Sequence, residues 1–457
     1  MTTRFPTRRL IVYNTAALAF VAAFLSPCAL AQPSRLQTLV SFTNGGGAYP
    51  EAGLTRGPRG DFYGTTSRGG AGGYGTVFKV TTNGELTTLA SSANTNGAYP
   101  ESGLTAGTDG LFYGTTFSGG TSNYGVIFSV TTNGTLNVLA AFLGNNGAYP
   151  SGELAGGPDG AFYGATSAGG NYNLGTIFRV DTNGAVTTLA SFDGTNGTSP
   201  HAELTPGSDG NFYGIATYGG ANGDGSIFQV TTNGTLTLIA SFADDETGSA
   251  PLSGLTQIAD GVFIGTTSDG GGSDLGTVVR ATTDGGLTQL LSFDFTNGAF
   301  SHSALALGAD GNLYGTTVGG GATGNGTVFQ LTTNGELTTL VSLAVTNGAG
   351  PVCKLALGPD GNFYGVTSTG GSENVGTVFR LLIAPQPIVI QVVSFSPTNV
   401  VLSFPMVAGQ SYTLQESASL TDPVWSDDTN VTGDASLFQI NIPVSHVLTR
   451  FFRVREP

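Results

Sequence analysis

An all-β ring of seven blades is what this sequence predicts, on three observations. One unit of about 50 residues recurs seven times, marked by a glycine at Gly64, Gly114, Gly164, Gly214, Gly265, Gly315 and Gly365, with spacings of 50, 50, 50, 51, 50 and 50. Each complete unit reads as four short strands separated by turn residues. The seventh copy stops at Leu381-Leu-Ile-Ala-Pro385 without its last strand, and a matching segment, Leu36-Gln-Thr-Leu-Val-Ser-Phe42, stands before the first copy. A linear solenoid gains nothing from that displacement, whereas a closed ring uses it to join its ends. Residues 32–383 are therefore expected to form a seven-bladed β-propeller closed by its N-terminal strand.

In chain order, residues 1–31 read as a secretory signal peptide. Arg4, Arg8 and Arg9 precede an apolar run from Leu10 to Leu25, and Ala29-Leu30-Ala31 supplies small residues for cleavage after Ala31. The protein is thus expected to be exported (periplasmic, secreted or on the cell surface), with no transmembrane span in the mature chain. Cys28 would leave with the leader, so Cys353 remains alone and forms no internal disulfide. Removing the leader's three arginines leaves 12 basic residues against 30 acidic ones, a net charge of about −18. Such a surface repels nucleic acid and anionic lipid. Glycine is abundant, at 73 residues, but 39% of the chain is hydrophobic and alternates regularly, so the glycines read as turns.

The second copy illustrates the blade. Ser102–Gly107 is an innermost strand of small residues, Leu111–Phe117 a second strand of aromatic and β-branched residues, Gly125–Thr131 a third and Thr135–Ala141 the outermost. Asp109-Gly110 and Asn133-Gly134 are turn signals, the latter because both residues tolerate φ > 0. Phe78, Phe128, Phe178, Phe228, Phe329 and Phe379 on the third strand, with Val279 in the fifth copy, are expected between blades. Strand order puts the tight turns on one face and the longer, variable loops on the other. The recurrent Asp109, Asp159, Asp209, Asp260, Asp310 and Asp360 resemble ligands but are read as turn residues.

Two sets of residues are candidates for function. On the loop face, Tyr74, Tyr124, Tyr172 and Tyr218 lie in or beside the loops between second and third strands, among Asn and Gly, and Tyr49, Tyr99 and Tyr149 recur in the links between blades. Aromatic platforms beside amides suit sugar rings. On the innermost strands, the position three before the conserved Leu carries Glu51, Glu101, Ser151, His201, Leu252, His302 and Val352; the position one before carries Gly53, Gly103, Glu153, Glu203, Gly254, Ala304 and Lys354. A channel mouth bearing His201, His302, Glu51 and Glu101 could hold a divalent metal; the competing reading is a hydrated polar channel and no cofactor.

The unit Gly-Pro-Asp-Gly-x-Phe-Tyr-Gly-x-Thr-x-x-Gly-Gly, followed by Gly-Thr-x-Phe-x-Val-x-Thr-Asn-Gly, resembles the Gloeo/Verruco repeat over residues 36 to 382. That resemblance implies an exported, surface-displayed protein and assigns no catalytic residue. The fifth copy departs from it at Ile264 and Val279. The blades are more loosely similar to those of virginiamycin B lyase, which implies a catalytic histidine and an axial metal; the propeller region supplies only His201 and His302.

After a linker at 384–387, residues 388–457 change character and are expected to form a small β-sandwich. Tyr412-Thr-Leu-Gln-Glu416, Val424-Trp425 and Phe451-Phe-Arg-Val454 resemble the C-terminal domain of exported verrucomicrobial and planctomycete proteins. The leading functional expectation is a binding scaffold whose partner is an extracellular polysaccharide or protein. The alternatives are a channel-centred lyase or hydrolase and a purely structural surface protein.

Overall fold

The structure, a computed structural model, describes residues 10–12, 35–383 and six C-terminal strands between 391 and 455. The chain divides into two compact units, one spanning Ser34–Leu382 apart from the turn Pro359–Gly361. The Ala31 cleavage site and the 384–387 linker lie outside the described residues.

The larger unit is the propeller. Six four-stranded antiparallel sheets follow one another in sequence order. In the seventh, Leu36–Ser41 pairs with Thr377–Leu381, Leu36 facing Leu381 and Ser41 facing Thr377. The displaced N-terminal strand therefore closes the ring. Innermost strands are only two residues long, such as Thr105–Ala106, except in the fifth blade, where Thr256–Ala259 forms four.

Blades adhere through two aromatic layers. Tyr63 stacks on Phe112 of the next blade with ring centroids 4.3 Å apart, and Tyr113–Phe162, Tyr163–Phe212, Tyr213–Phe263 and Tyr314–Phe363 repeat the contact at 4.3–4.5 Å. Tyr364 meets Phe62 at 4.4 Å and carries the contact across the closure, six of the seven junctions being paired in this way. In the second layer, Phe42, Phe142, Phe192 and Phe293 meet the third-strand Phe78, Phe178, Phe228 and Phe329 edge to face. Burying each such ring contributes about 1.5–3 kcal/mol. The conserved glycine makes room for it: a Cβ on Gly64 would lie 2.7 Å from Cζ of Phe78.

A bulge in every outer strand supplies a third contact. Val77 faces Ala90 but Phe78 faces Thr88, so Leu89 has no partner in the ladder. Leu89 packs instead against the apolar cluster that includes the next blade's Phe128 and Val130, as Leu39 does against the cluster that includes Phe78 and Val80. The turns differ from the sequence reading in one respect. Gly134 has φ +95° but Asn133 is not left-handed, and Thr131 N–H donates to the Thr135 carbonyl at 3.0 Å. The hairpin is thus a longer loop ending in a left-handed glycine.

In the second unit, Leu10–Val12, Arg450–Arg455, Ser411–Ser417 and Ser426–Thr432 form one antiparallel sheet, and Gln391–Phe395, Asn399–Pro405 and Leu437–Pro443 another. Leu10–Val12 falls inside the segment read as a leader, so its removal would leave Arg450–Arg455 as an edge.

Candidate functional site

The aspartates of the turn face are structural. Asp109 Oδ1 accepts from Leu111 N–H at 3.1 Å, and Oδ2 accepts from the Tyr113 hydroxyl at 2.6 Å. Asp209 and Asp310 repeat both bonds. Arg59 interrupts the series in the first blade, and Asp61, two residues on, pairs there with Lys79 at 3.5 Å.

On the loop face, each link between blades pairs with the start of the following second-to-third loop, as in the bridges Ala48–Arg68 and Ala98–Ser118. One link position is left-handed in all seven copies: Tyr49, Tyr99, Tyr149, Ser199, Ala250, Phe300 and Gly350, with φ between 46° and 58°. A side chain there costs about 1–2 kcal/mol, yet four of the seven are aromatic. The reason lies in the neighbouring loop. Tyr99 N–H donates to the Tyr74 carbonyl at 2.9 Å, and the two rings meet edge to face at 5.9 Å. Tyr149 holds Tyr124 in the same way at 5.6 Å and also stacks on Phe117 at 5.0 Å. The guanidinium of exposed Arg68 lies 5.5 Å from the centre of the Tyr99 ring. The structure thus joins the link and loop tyrosines into two adjoining clusters, while Tyr172 and Tyr218 stand apart at 62% and 54% exposure. Phe117 and Arg68 were not among the sequence candidates, since neither belongs to a repeating aromatic series.

The channel residues fall into separate groups. Burial raises the Glu51 carboxyl, opposed by a hydrogen bond from Ser67 and the charge of Arg68. Burial, with Glu51 adding and Arg68 opposing, pushes Glu101 up to about 7. His201 Nδ1 lies 3.2 Å from Ser151 Oγ, and His302 Nε2 lies 3.2 Å from Ser268 Oγ. Burial lowers both imidazoles, so each is neutral at pH 7, with Asp269 opposing the shift at His302. No cluster of three or more His, Cys, Asp or Glu suited to a metal occurs among the described residues.

A third group lies one step further along the innermost strands. Lys354 Nζ contacts Glu203 Oε1 at 3.1 Å, joining blades seven and four across the axis. Burial and the adjacent Glu203 charge hold the Glu153 carboxyl well above the usual range, with Lys354 opposing. Small residues clear this space: a Cβ on Gly103 would lie 2.6 Å from Glu153 Oε2, and one on Gly254 2.8 Å from Glu203 Cγ. The sequence signal was the single Lys facing two Glu in one register. Cys353 is buried and takes the place of a serine: its sulfur accepts from Val366 N–H at 3.4 Å, as Ser102 Oγ accepts from Thr115 N–H at 3.2 Å. Burial raises its thiol to about 11, which leaves no thiolate at neutral pH.

A model of the Gloeobacter/Verrucomicrobia repeat matches residues 29–222 and 205–413. No curated protein matches the chain. Among solved structures it is similar to a candidate 6-phosphogluconolactonase from Bacteroides uniformis ATCC 8492, at 15% identity and a TM-score of 0.47, covering 83% of this chain and 98% of that one. A second, from Bacteroides fragilis NCTC 9343, has 18% identity and a TM-score of 0.45 over 83% and 97%. An exo-beta-1,3-galactanase from Phanerochaete chrysosporium has 13% identity and a TM-score of 0.34 over 91% and 95%.

Proposed function

The chain belongs to the Gloeobacter/Verrucomicrobia repeat family, and we propose that it is an exported scaffold that binds its partner through the loop face of the propeller. The observation that carries this reading is the left-handed link position, where Tyr49, Tyr99, Tyr149 and Phe300 retain large aromatic side chains on strained backbone. Gly350 shows what the backbone alone would favour. The opposite face offers tight turns whose polar side chains are already bonded to one another. The signal-like residues 1–31 support export.

Capture of envelope material tests the reading. Wild type is compared with a variant carrying Ala at Tyr74, Tyr124, Tyr172 and Tyr218, and with a turn-face control carrying Ser at the exposed Leu307 and Leu357. Loss of captured material in the loop-face variant alone is the expected result; equal capture by all three refutes it. Sequencing of exported protein should begin at Gln32.

One observation favours a channel-centred hydrolase or lyase as a second reading. Glu153 keeps its proton beside Glu203, which pairs with Lys354, and a protonated carboxyl next to a second carboxyl suits acid–base chemistry. Turnover abolished by Glu153→Gln with unchanged folding would establish it.

A further inference from the structure

We infer that the loop face of blades one to three binds a neutral polysaccharide along two aromatic subsites, one at Tyr74 and Tyr99 and the next at Tyr124, Tyr149 and Phe117. The inference rests on the loop-face reading above and specifies its ligand.

Three features single out this sector. The first is geometric. Each subsite pairs a loop ring with a link ring from the following blade, and the same backbone bond fixes both pairs. The subsites are therefore one repeat apart and similarly oriented, as a ligand that itself repeats would require. A sugar ring presents C–H groups on one face and hydroxyls at its rim, so half-exposed Tyr rings offer it apolar contact with polar edges.

Charge is the second. Across the loops and links 67–75, 93–100, 117–125, 143–150 and 167–175 the one charged residue is Arg68, whose guanidinium lies over the Tyr99 ring, in a chain with 45 Asp, Glu, Lys and Arg residues. They consist instead of Asn, Ser, Thr, Gly and Ala around the aromatics and aliphatics. The neighbouring loops of blades four and five hold Asp224, Asp244, Asp245, Glu246, Asp269 and Asp274. Arg68 alone offers an anionic chain such as a polyuronate one favourable charge, and along the ring the chain would run into those six carboxylates and be repelled.

The third is hydrogen-bonding capacity. The side-chain oxygens of Asn96, Asn123 and Asn146 accept from the backbone N–H groups of Ala93, Gly119 and Leu143. Each carboxamide is thereby fixed by its oxygen, which leaves its NH2 end to donate to hydroxyls. Preset donors beside fixed rings reduce the ordering cost of binding.

Affinity electrophoresis of the full chain in gels containing a neutral β-glucan, a neutral mannan or a polyuronate tests the inference. Wild type should be retarded by at least one neutral polymer and not by the polyuronate. A Tyr99→Gly/Tyr149→Gly variant removes both link rings while placing glycine where φ is near +57°, so it retains the fold; its thermal midpoint is recorded alongside. It and Tyr74→Ala/Tyr124→Ala should each weaken retention about tenfold or more. No retardation by any neutral polymer, or retention unchanged in both variants, overturns the inference. Loop-face variants that lose a protein or anionic ligand while neutral polymers bind nowhere would overturn the glycan and leave the scaffold reading standing.

Discussion

Ile264 of the fifth blade shares an apolar cluster with Leu313 of the sixth, at the one junction of seven where no tyrosine stacks on a phenylalanine. Both partners of the aromatic pair have changed together. The link also differs here: a Cβ on Gly225 or Gly326 would meet Pro251 or Pro351 of the following blade at 2.7 and 2.9 Å, whereas Ser301 stands at the proline position beyond Gly276.

This junction keeps only the Phe293–Phe329 pair, so it should open before those of blades two with three, three with four and seven with one, which hold both pairs. An aromatic pair adds about 0.5–1.5 kcal/mol beyond its buried area. Amide hydrogen exchange should therefore be faster in strands Val262–Thr266 and Leu313–Thr317 than in Phe162–Thr166, which has both aromatic pairs on each side. Equal protection in Phe162–Thr166 and these two strands would contradict this.

Deleting Leu36–Phe42 should leave Thr377–Leu381 as an open edge. The truncated protein should associate in sedimentation experiments and unfold at a lower temperature than wild type. A monomer with an unchanged midpoint would argue against closure by this strand.

Lys354→Met should destabilise the protein by about 1 kcal/mol or less, because the lysine side chain is 42% exposed. The loss should be larger at pH 8 than at pH 5, where the protonated Glu153 no longer confronts Glu203 with a charge. Adding Glu203→Gln should restore most of it. Thermal unfolding of the two variants at both pH values provides the measurement.

Glu101 sets a pH dependence of definite sign. Its carboxyl titrates near 7 in the folded chain against an ordinary 4.5, so between those values the folded state holds a proton that the unfolded state has released. This contribution is fully present below about 4.5 and is lost as pH rises through 7. Glu101→Gln should flatten that part of the stability profile and raise the midpoint at pH 8 by about 1–3 °C.

The repeat made the ring and its closure legible, because each blade reuses the same residues and the missing strand is visible as a displacement. Alternation alone concealed the bulge at Leu89: that position reads as an ordinary strand residue until the register shift turns it toward the next blade. The functional residues were harder to read because they depend on pairs between copies. Tyr74 and Tyr99 are far apart in repeat phase and become neighbours only when a link lies against the preceding loop. Likewise, the approach of Lys354 to Glu203 depends on the curvature of the ring, which no local pattern encodes.

The pairing of Leu36 with Leu381 also fixes when this protein can finish folding. Emerging from a ribosome or a translocon, the first strand has no partner until the last blade arrives. Until then its ladder partner is absent, while six blades can already assemble from contacts local in sequence. Ring closure is thus the step of greatest sequence separation, and loop-closure entropy makes it the slow one. The export proposed above suits that order, since a chain threaded from its N-terminus delivers the first strand early and its partner only as the propeller's passage ends.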